Sequence, residues 1–188
     1  MKAEQQGRAA RHLTPGEMRM AADLFGDAID YRKVRIHNRC YLPLGLQPSN
    51  CAMTPNGSMY FHHSCFRDDF ASGDVSAKHW FMHEMVHVWQ HQLGYPVRSR
   101  GAIRICLSYR YTLAPGKTLA DFNMEAQGDL LADYYVLKFL HTSAGMRQPQ
   151  PPASLPLFEA VLEGFLANPA SRLSLPAGLW RALGAALQ

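Results

Sequence analysis

Long apolar runs are missing from this chain. No stretch of about 18 apolar residues occurs, so no helix is expected to span a membrane. The opening residues, MKAEQQGRAARHLTPGEM, lack the apolar stretch of a secretory signal. The chain is therefore read as made in the cytoplasm, and any delivery out of the cell falls to a machine that needs no cleaved signal. Cysteine is scarce: Cys40, Cys51, Cys65 and Cys106 are far apart and form no C-x-x-C pair. That argues against a thiolate zinc site and against a disulfide framework, and buried thiols are expected instead. Charge is sparse as well, at 18% of residues, with a net charge of +4. This mild basicity does not demand an anionic partner. The short cluster Arg98, Arg100 and Arg104 lacks the interleaved aromatics that stack on single-stranded nucleic acid, so nucleic acid is not an expected partner.

What remains is 47% hydrophobic and, at 188 residues, large enough for one packed core. Residues 1–12 are polar and expected to be disordered. Thr14-Pro15-Gly16-Glu17 has the form of a capping box with proline in the first turn, predicting a helix over 15–26. Val34–His37 is a strand candidate. In CAMTPNGSMYFHH, the turn signal Pro55-Asn56-Gly57 separates two apolar runs, predicting a β-hairpin whose returning strand is Ser58–His62. A helix capped by Asp74 or Ser76 should run to Gly94, with Pro96 beyond it. Residues 101–112 fit strand or helix equally. A long helix is predicted over Leu119–His141. After a Pro/Gln linker, two short helices at about 156–166 and 177–187 close the chain. The fold class is α+β, mainly helical, with a small sheet and a C-terminal helical tail.

The predicted helix HWFMHEMVHVWQHQLG concentrates four histidines and one glutamate. Positions four apart on a helix lie roughly 40° and 6 Å apart, so His83 and His87 project together. Glu84 sits on the flank of that face. This is HExxH: two zinc ligands and a carboxylate able to take a proton from zinc-bound water. With 9 histidines in 188 residues, chance yields the pattern roughly 0.01 times per chain. Phe81, Met82, Val86 and Trp89 mark the helix as buried, where unpaired imidazoles and a carboxylate are costly. His79 and His91 extend the stripe one turn each way, but only the 83/87 pair brackets a glutamate. They are read as polar edge residues or outer partners.

A catalytic zinc takes three protein ligands. The extended form HExxHxxGxxH fails here, since Gln90 and Leu93 occupy the glycine and third histidine positions. FNMEAQGDLLADYY offers another solution. Glu125 is the one glutamate between Glu84 and Glu159, and Asp129 follows one turn later, able to accept the N–H of a ligating imidazole. Asp133 repeats the spacing, as an outer partner or a surface charge.

HEMVH followed by E-x-x-x-D on a later helix resembles the gluzincin-type zinc metallopeptidases. TPNGSMYFHH, HEMVHVWQ and FNMEAQGDLLADYY together are similar to bacterial zinc-peptidase-like domains associated with type VI secretion spike (Vgr-related) proteins, over roughly residues 13–140. The resemblance implies Zn²⁺ held by His83, His87 and Glu125, Glu84 as the base, and a zincin-like catalytic domain over 13–145. Residues 146–188 would be a linker and helices packed on or near that domain. It also implies a protein or peptide substrate, with a secretion-spike protein or an immunity protein as partner. The chain departs from larger gluzincins in leaving little length for the extra domain that carries a transition-state-stabilising His or Tyr. Tyr109 and Tyr111, flanking Arg110, are the candidates to replace that donor, with Tyr134 and His141 behind them. The strand Ser58–His62 is expected at a sheet edge where a peptide could pair, with His62 or His63 facing the cleft or solvent. The leading expectation is a zinc metallopeptidase, a hydrolase of peptide bonds acting as a secretion-system effector. The alternative is a non-catalytic, zinc-stabilised adaptor of a secretion spike, favoured by an exposed C-terminal tail and by a fourth ligand such as His91.

Overall fold

The computed structural model describes residues 10–44, 46–102 and 107–177. Helix α1 spans Pro15–Phe25 and starts as its sequence dictates. The backbone N–H of Glu17 donates to Thr14 Oγ1 at 3.1 Å, and Thr14 N–H donates back to Glu17 Oε2 at 2.9 Å. Glu17 is fully buried and also receives both ends of the Arg11 guanidinium at 2.7 Å and the N–H of Phe70 at 2.8 Å. Because Arg11 is anchored in this way, Ala10–Arg11 forms a strand, β1, within the segment expected to be disordered.

Three further strands complete a small sheet: β2 (Ile36–Asn38), β3 (Ala52–Met53) and β4 (Met59–Phe61). The order is β1-β2-β4-β3. The predicted hairpin is present, with Met53 opposite Tyr60 and Ala52 opposite Phe61. Its returning strand is not at the edge, however. β4 pairs in parallel with β2, Ile36 against Met59, so it lies inside the sheet with Met59, Tyr60 and Phe61 all buried. Among the described strands the edges are β1 and β3, and β3 is the edge on the cleft side. The hairpin turn itself uses Gly57 at φ 78°, a conformation that favours glycine.

Helix α2 (Val75–Gln92) is capped by Asp74, whose Oδ1 accepts from Ala77 N–H at 2.8 Å. Phe81, Met82, Met85, Val86, Val88 and Trp89 are all inaccessible to solvent. Apolar cover on every side marks a central helix. Its main partner is α4 (Met124–Phe139), which starts at an Asn123 cap and not at Leu119; residues 119–121 form a separate 3₁₀ turn. Between them Val97–Ala102 forms a short helix, α3, that hydrophobic spacing did not reveal. Residues 103–106, within the segment read as strand or helix, lie outside the described residues.

Helix α5 (Leu155–Ala167) buries Phe158, Val161, Leu162 and Phe165 in the same core as α1, α2 and α4. The tail is thus packed through residue 167, contrary to an exposed docking arm. Trp89 Nε1–H donates to Pro169 O at 2.7 Å and ties down the segment that follows. The helix expected at 177–187 falls almost wholly outside the described residues. The class is α+β, as expected. Cys40, Cys51 and Cys65 form no disulfide and are half-buried, more accessible than expected. No helix among the described residues is long and apolar enough to cross a membrane.

Candidate metal centre

Helices α2 and α4 face each other in a register that repeats every turn. His79 Nε2 meets Asp133 Oδ1 at 2.8 Å, His83 Nδ1 meets Asp129 Oδ1 at 2.8 Å, and His87 Nε2 meets Glu125 Oε2 at 3.2 Å. Each step of four residues up α2 is matched by a step of four down α4. The i, i+4 spacing on both helices thus places acids opposite imidazoles.

The tautomers follow from the partners. Asp129 Oδ1 can only accept, so His83 donates from Nδ1. His87 Nδ1 lies 2.9 Å from Gln90 Oε1. The Gln90 amide is oriented by its other end, where Nε2 donates to Met124 O at 3.2 Å and to Gln127 Oε1 at 2.9 Å. His87 therefore also carries its hydrogen on Nδ1. When both rings are neutral, each turns a bare Nε2 toward Glu125. The two Nε2 atoms are 3.2 Å apart, and Glu125 Oε2 lies 3.3 Å from His83 Nε2 and 3.2 Å from His87 Nε2. Three lone-pair atoms converge in a triangle, which is unfavourable in a buried site unless positive charge sits among them.

Electrostatics give the same answer. Burial works against a charged His83, yet hydrogen bonds to Asp129 and Glu125 outweigh it and raise its pKa to about 10. His87 is likewise raised, burial being outweighed by the negative charge of Glu125. Burial pushes Glu125 up, but the His87 and His83 imidazoles hold it well below the usual carboxylate range. A site that draws protons onto its imidazoles is one that a cation would also neutralise. These three residues could hold a metal ion.

Sequence spacing gave no notice of one support. A Cβ on Gly128 would lie 2.5 Å from His83 Cε1 and 2.7 Å from its Nδ1. Glycine lets the ring lie directly on the α4 backbone. The available signal was a glycine inside a helix, a position disfavoured by about 1 kcal/mol relative to alanine. For Gln90, which holds His87, the available signal was an uncharged amide among the apolar residues Val86, Val88 and Trp89.

The cluster lies at the floor of a cleft of about 650 Å³, lined among others by Met53, Thr54, Glu84, Arg98, Tyr109 and Glu125. Glu84 is 4% exposed. The ring of Tyr109 stacks on His83 with centroids 5.9 Å apart and planes at 21°. Partial burial, reinforced by the negative charges of Glu125 and Glu84, raises the pKa of its hydroxyl, so it stays protonated. Tyr111 is placed elsewhere. Its hydroxyl donates to Asp133 Oδ2 at 2.7 Å, one turn away from the triangle. Asp133 is no surface charge, being fully buried and also accepting from the N–H groups of Arg147 and Gln148 at 2.6 and 3.0 Å. His91 does not join the cluster; its ring lies against the hairpin turn at Gly57. Tyr134 packs near Phe158 and Phe139, His141 follows the end of α4 at φ 54°, and His62 bonds Ser64. None of the three lines the cleft.

An α+β domain with a His/His/Glu triangle at a cleft floor is the class that fold and site define. No protein-family model matches the chain. Over 148 residues it is 40% identical to the type VI secretion system spike protein VgrG2b of Pseudomonas aeruginosa, covering 74% of this chain and 14% of that protein. The chain thus spans about one seventh of its curated relative. The solved effector domain of Pseudomonas aeruginosa VgrG2b matches with a TM-score of 0.68 and 35% identity, covering 86% of this chain and 89% of that one. The chain belongs to the family of VgrG2b effector domains.

Proposed function

We propose that this domain is a zinc-dependent metallopeptidase that hydrolyses peptide bonds, acting as an effector delivered by a type VI secretion spike. The observation that carries the reading is the triangle of His83 Nε2, His87 Nε2 and Glu125 Oε2, with edges of 3.2, 3.2 and 3.3 Å. Atoms bound at about 2.0–2.1 Å to a tetrahedral zinc lie roughly 3.3–3.4 Å apart, so the donor set fits that ion without rearrangement. Two nitrogens and one carboxylate oxygen are also the donor types of a catalytic zinc. His91 stands apart, so nothing from α2 supplies a fourth ligand, and α5 packs into the core instead of standing free as a docking arm.

When bound, zinc would supply Lewis-acid polarisation of a carbonyl and acidification of water. The rest falls to the chain. Asp129 and Gln90 fix the two imidazoles in the ligating tautomer. Glu84, at the cleft floor, accepts a proton from the attacking water and passes it to the leaving amine. Tyr109, protonated and exposed to the cleft, donates to the negative charge that develops on the carbonyl oxygen. Tyr111 has no such part, because its proton is committed to Asp133. The open β3 edge at Ala52 and Met53, which line the cleft, offers main-chain partners to an extended protein or peptide substrate. The spike partner is inferred from the relative's name.

Glu84→Gln tests the reading. The full chain should still bind about one zinc per chain, while cleavage of fluorescein-labelled casein falls at least about 100-fold. Undiminished turnover in that variant would refute the role of Glu84.

A further inference from the structure

Glu84 neighbours the metal cluster in sequence, yet it is held from outside it. Thr54, immediately after β3, donates its hydroxyl to Glu84 Oε2 at 2.6 Å. That is a short, charge-assisted hydrogen bond, and both residues are only 4% exposed. The other oxygen, Oε1, takes no hydrogen bond among the described residues, and both side chains line the cleft. A hydroxyl has a single proton to give. Given to Oε2, it fixes the plane of the carboxylate and leaves Oε1 as the acceptor available to the cleft.

The position of Thr54 is itself determined by the hairpin. Pro55 follows it and keeps its backbone extended. Gly57 brings the turn against α2, where a Cβ would lie 2.6 Å from His91 Cδ2. His91 is seven residues beyond Glu84, two turns along the same helix. The turn is thus seated on the helix that carries the carboxylate, and it delivers a hydroxyl across 30 residues of sequence.

We propose that Thr54 is a positioning residue for the base: its hydroxyl locks one oxygen of Glu84 so that the other faces bound substrate. The proposal rests on the peptidase reading for its consequence, but not for its geometry. Its test compares T54V, which keeps the shape and loses the proton, with T54S, which keeps the proton. Three quantities are measured on the full chain: crystal structures, zinc affinity by competition with a chromogenic chelator, and turnover of fluorescein-labelled casein. In T54V, Glu84 should leave its single rotamer while zinc affinity stays within about threefold, since Thr54 touches no ligand. Its kcat should fall about 10- to 100-fold with KM nearly unchanged, as expected for a misplaced base. T54S should restore both the rotamer and kcat to within about threefold. An unchanged Glu84 rotamer in T54V, or a T54S as impaired as T54V, overturns the proposal. Wild-type protein that binds zinc but cleaves no casein would count against the peptidase reading alone, because the Glu84 rotamer in T54V still decides the role of Thr54.

Discussion

Replacing Gly128 by alanine sets helix propensity against the site. Propensity alone predicts a more stable α4, by about 1 kcal/mol. The structure predicts otherwise. The added Cβ would fall 2.5 Å from His83 Cε1, 2.7 Å from Nδ1 and 2.9 Å from Nε2. Carbon atoms in contact settle near 3.5–4.0 Å, so ring and helix must separate by roughly 1 Å or more. The ring has little freedom to comply: His83 is 7% exposed and its Nδ1–H is held at 2.8 Å by Asp129, which lies on the same helix as the intruding methyl. Overpacking of this kind costs about 1–3 kcal/mol, which offsets or exceeds the propensity gain. Metal-free G128A should therefore be at best as stable as wild type in a urea melt. The sharper effect is on metal. Displacing His83 Nε2 opens the triangle and strains its bond to Asp129, so zinc affinity should drop about 10- to 100-fold in competition with a chromogenic chelator. If G128A bound zinc within about threefold of wild type, the close seating of His83 on α4 would have no bearing on metal binding.

Two further outcomes follow from the same geometry. In metal-free protein the His83 pKa is raised to about 10 from an ordinary 6.5, so its proton contributes stability that is complete below about pH 6.5 and lost as pH rises toward 10. Zinc must displace that proton, so the gain in Tm from zinc over chelator should widen from pH 6.5 to 8; a gain that shrinks over that range would contradict a protonated His83 in the metal-free site. The two tyrosines should separate by assay. Y109F should lower kcat about 10-fold or more with little change in stability. Y111F takes a donor from the fully buried Asp133 and should lower stability by about 1–3 kcal/mol with kcat near that of wild type. Reversal of that pattern would exchange their roles.

How much of this was legible in sequence depends on the distance over which each signal acts. Thr14 with Glu17, Asp74, and the Pro55-Asn56-Gly57 turn are local devices, and each produced its element. The strand order is not local: β4 pairs in parallel with β2 across more than twenty residues, which the alternation within Met59–Phe61 cannot encode. The start of α4 is obscured for a related reason. Thr118 and Asp121 imitate a helix cap but close only a 3₁₀ turn, and the helix waits for Asn123. The site repeats the lesson with more consequence. Spacing of four on both helices accommodates a ladder of imidazole–carboxylate rungs at His79–Asp133, His83–Asp129 and His87–Glu125, and although Glu84 singles out the 83/87 pair, the spacing does not say why the rung at His79 stays out of the metal site. What distinguishes them arrives from elsewhere. Tyr111 and the main-chain N–H groups of Arg147 and Gln148 supply donors to Asp133, so the rung at His79 is closed and structural. At the opposite end Gln90 and Asp129 take the Nδ1 hydrogens, Gly128 admits the His83 ring, and three lone pairs are left facing one another. The ladder becomes a candidate metal centre at the one end where donors are drawn away from it, and the residues that draw them away carry no motif of their own.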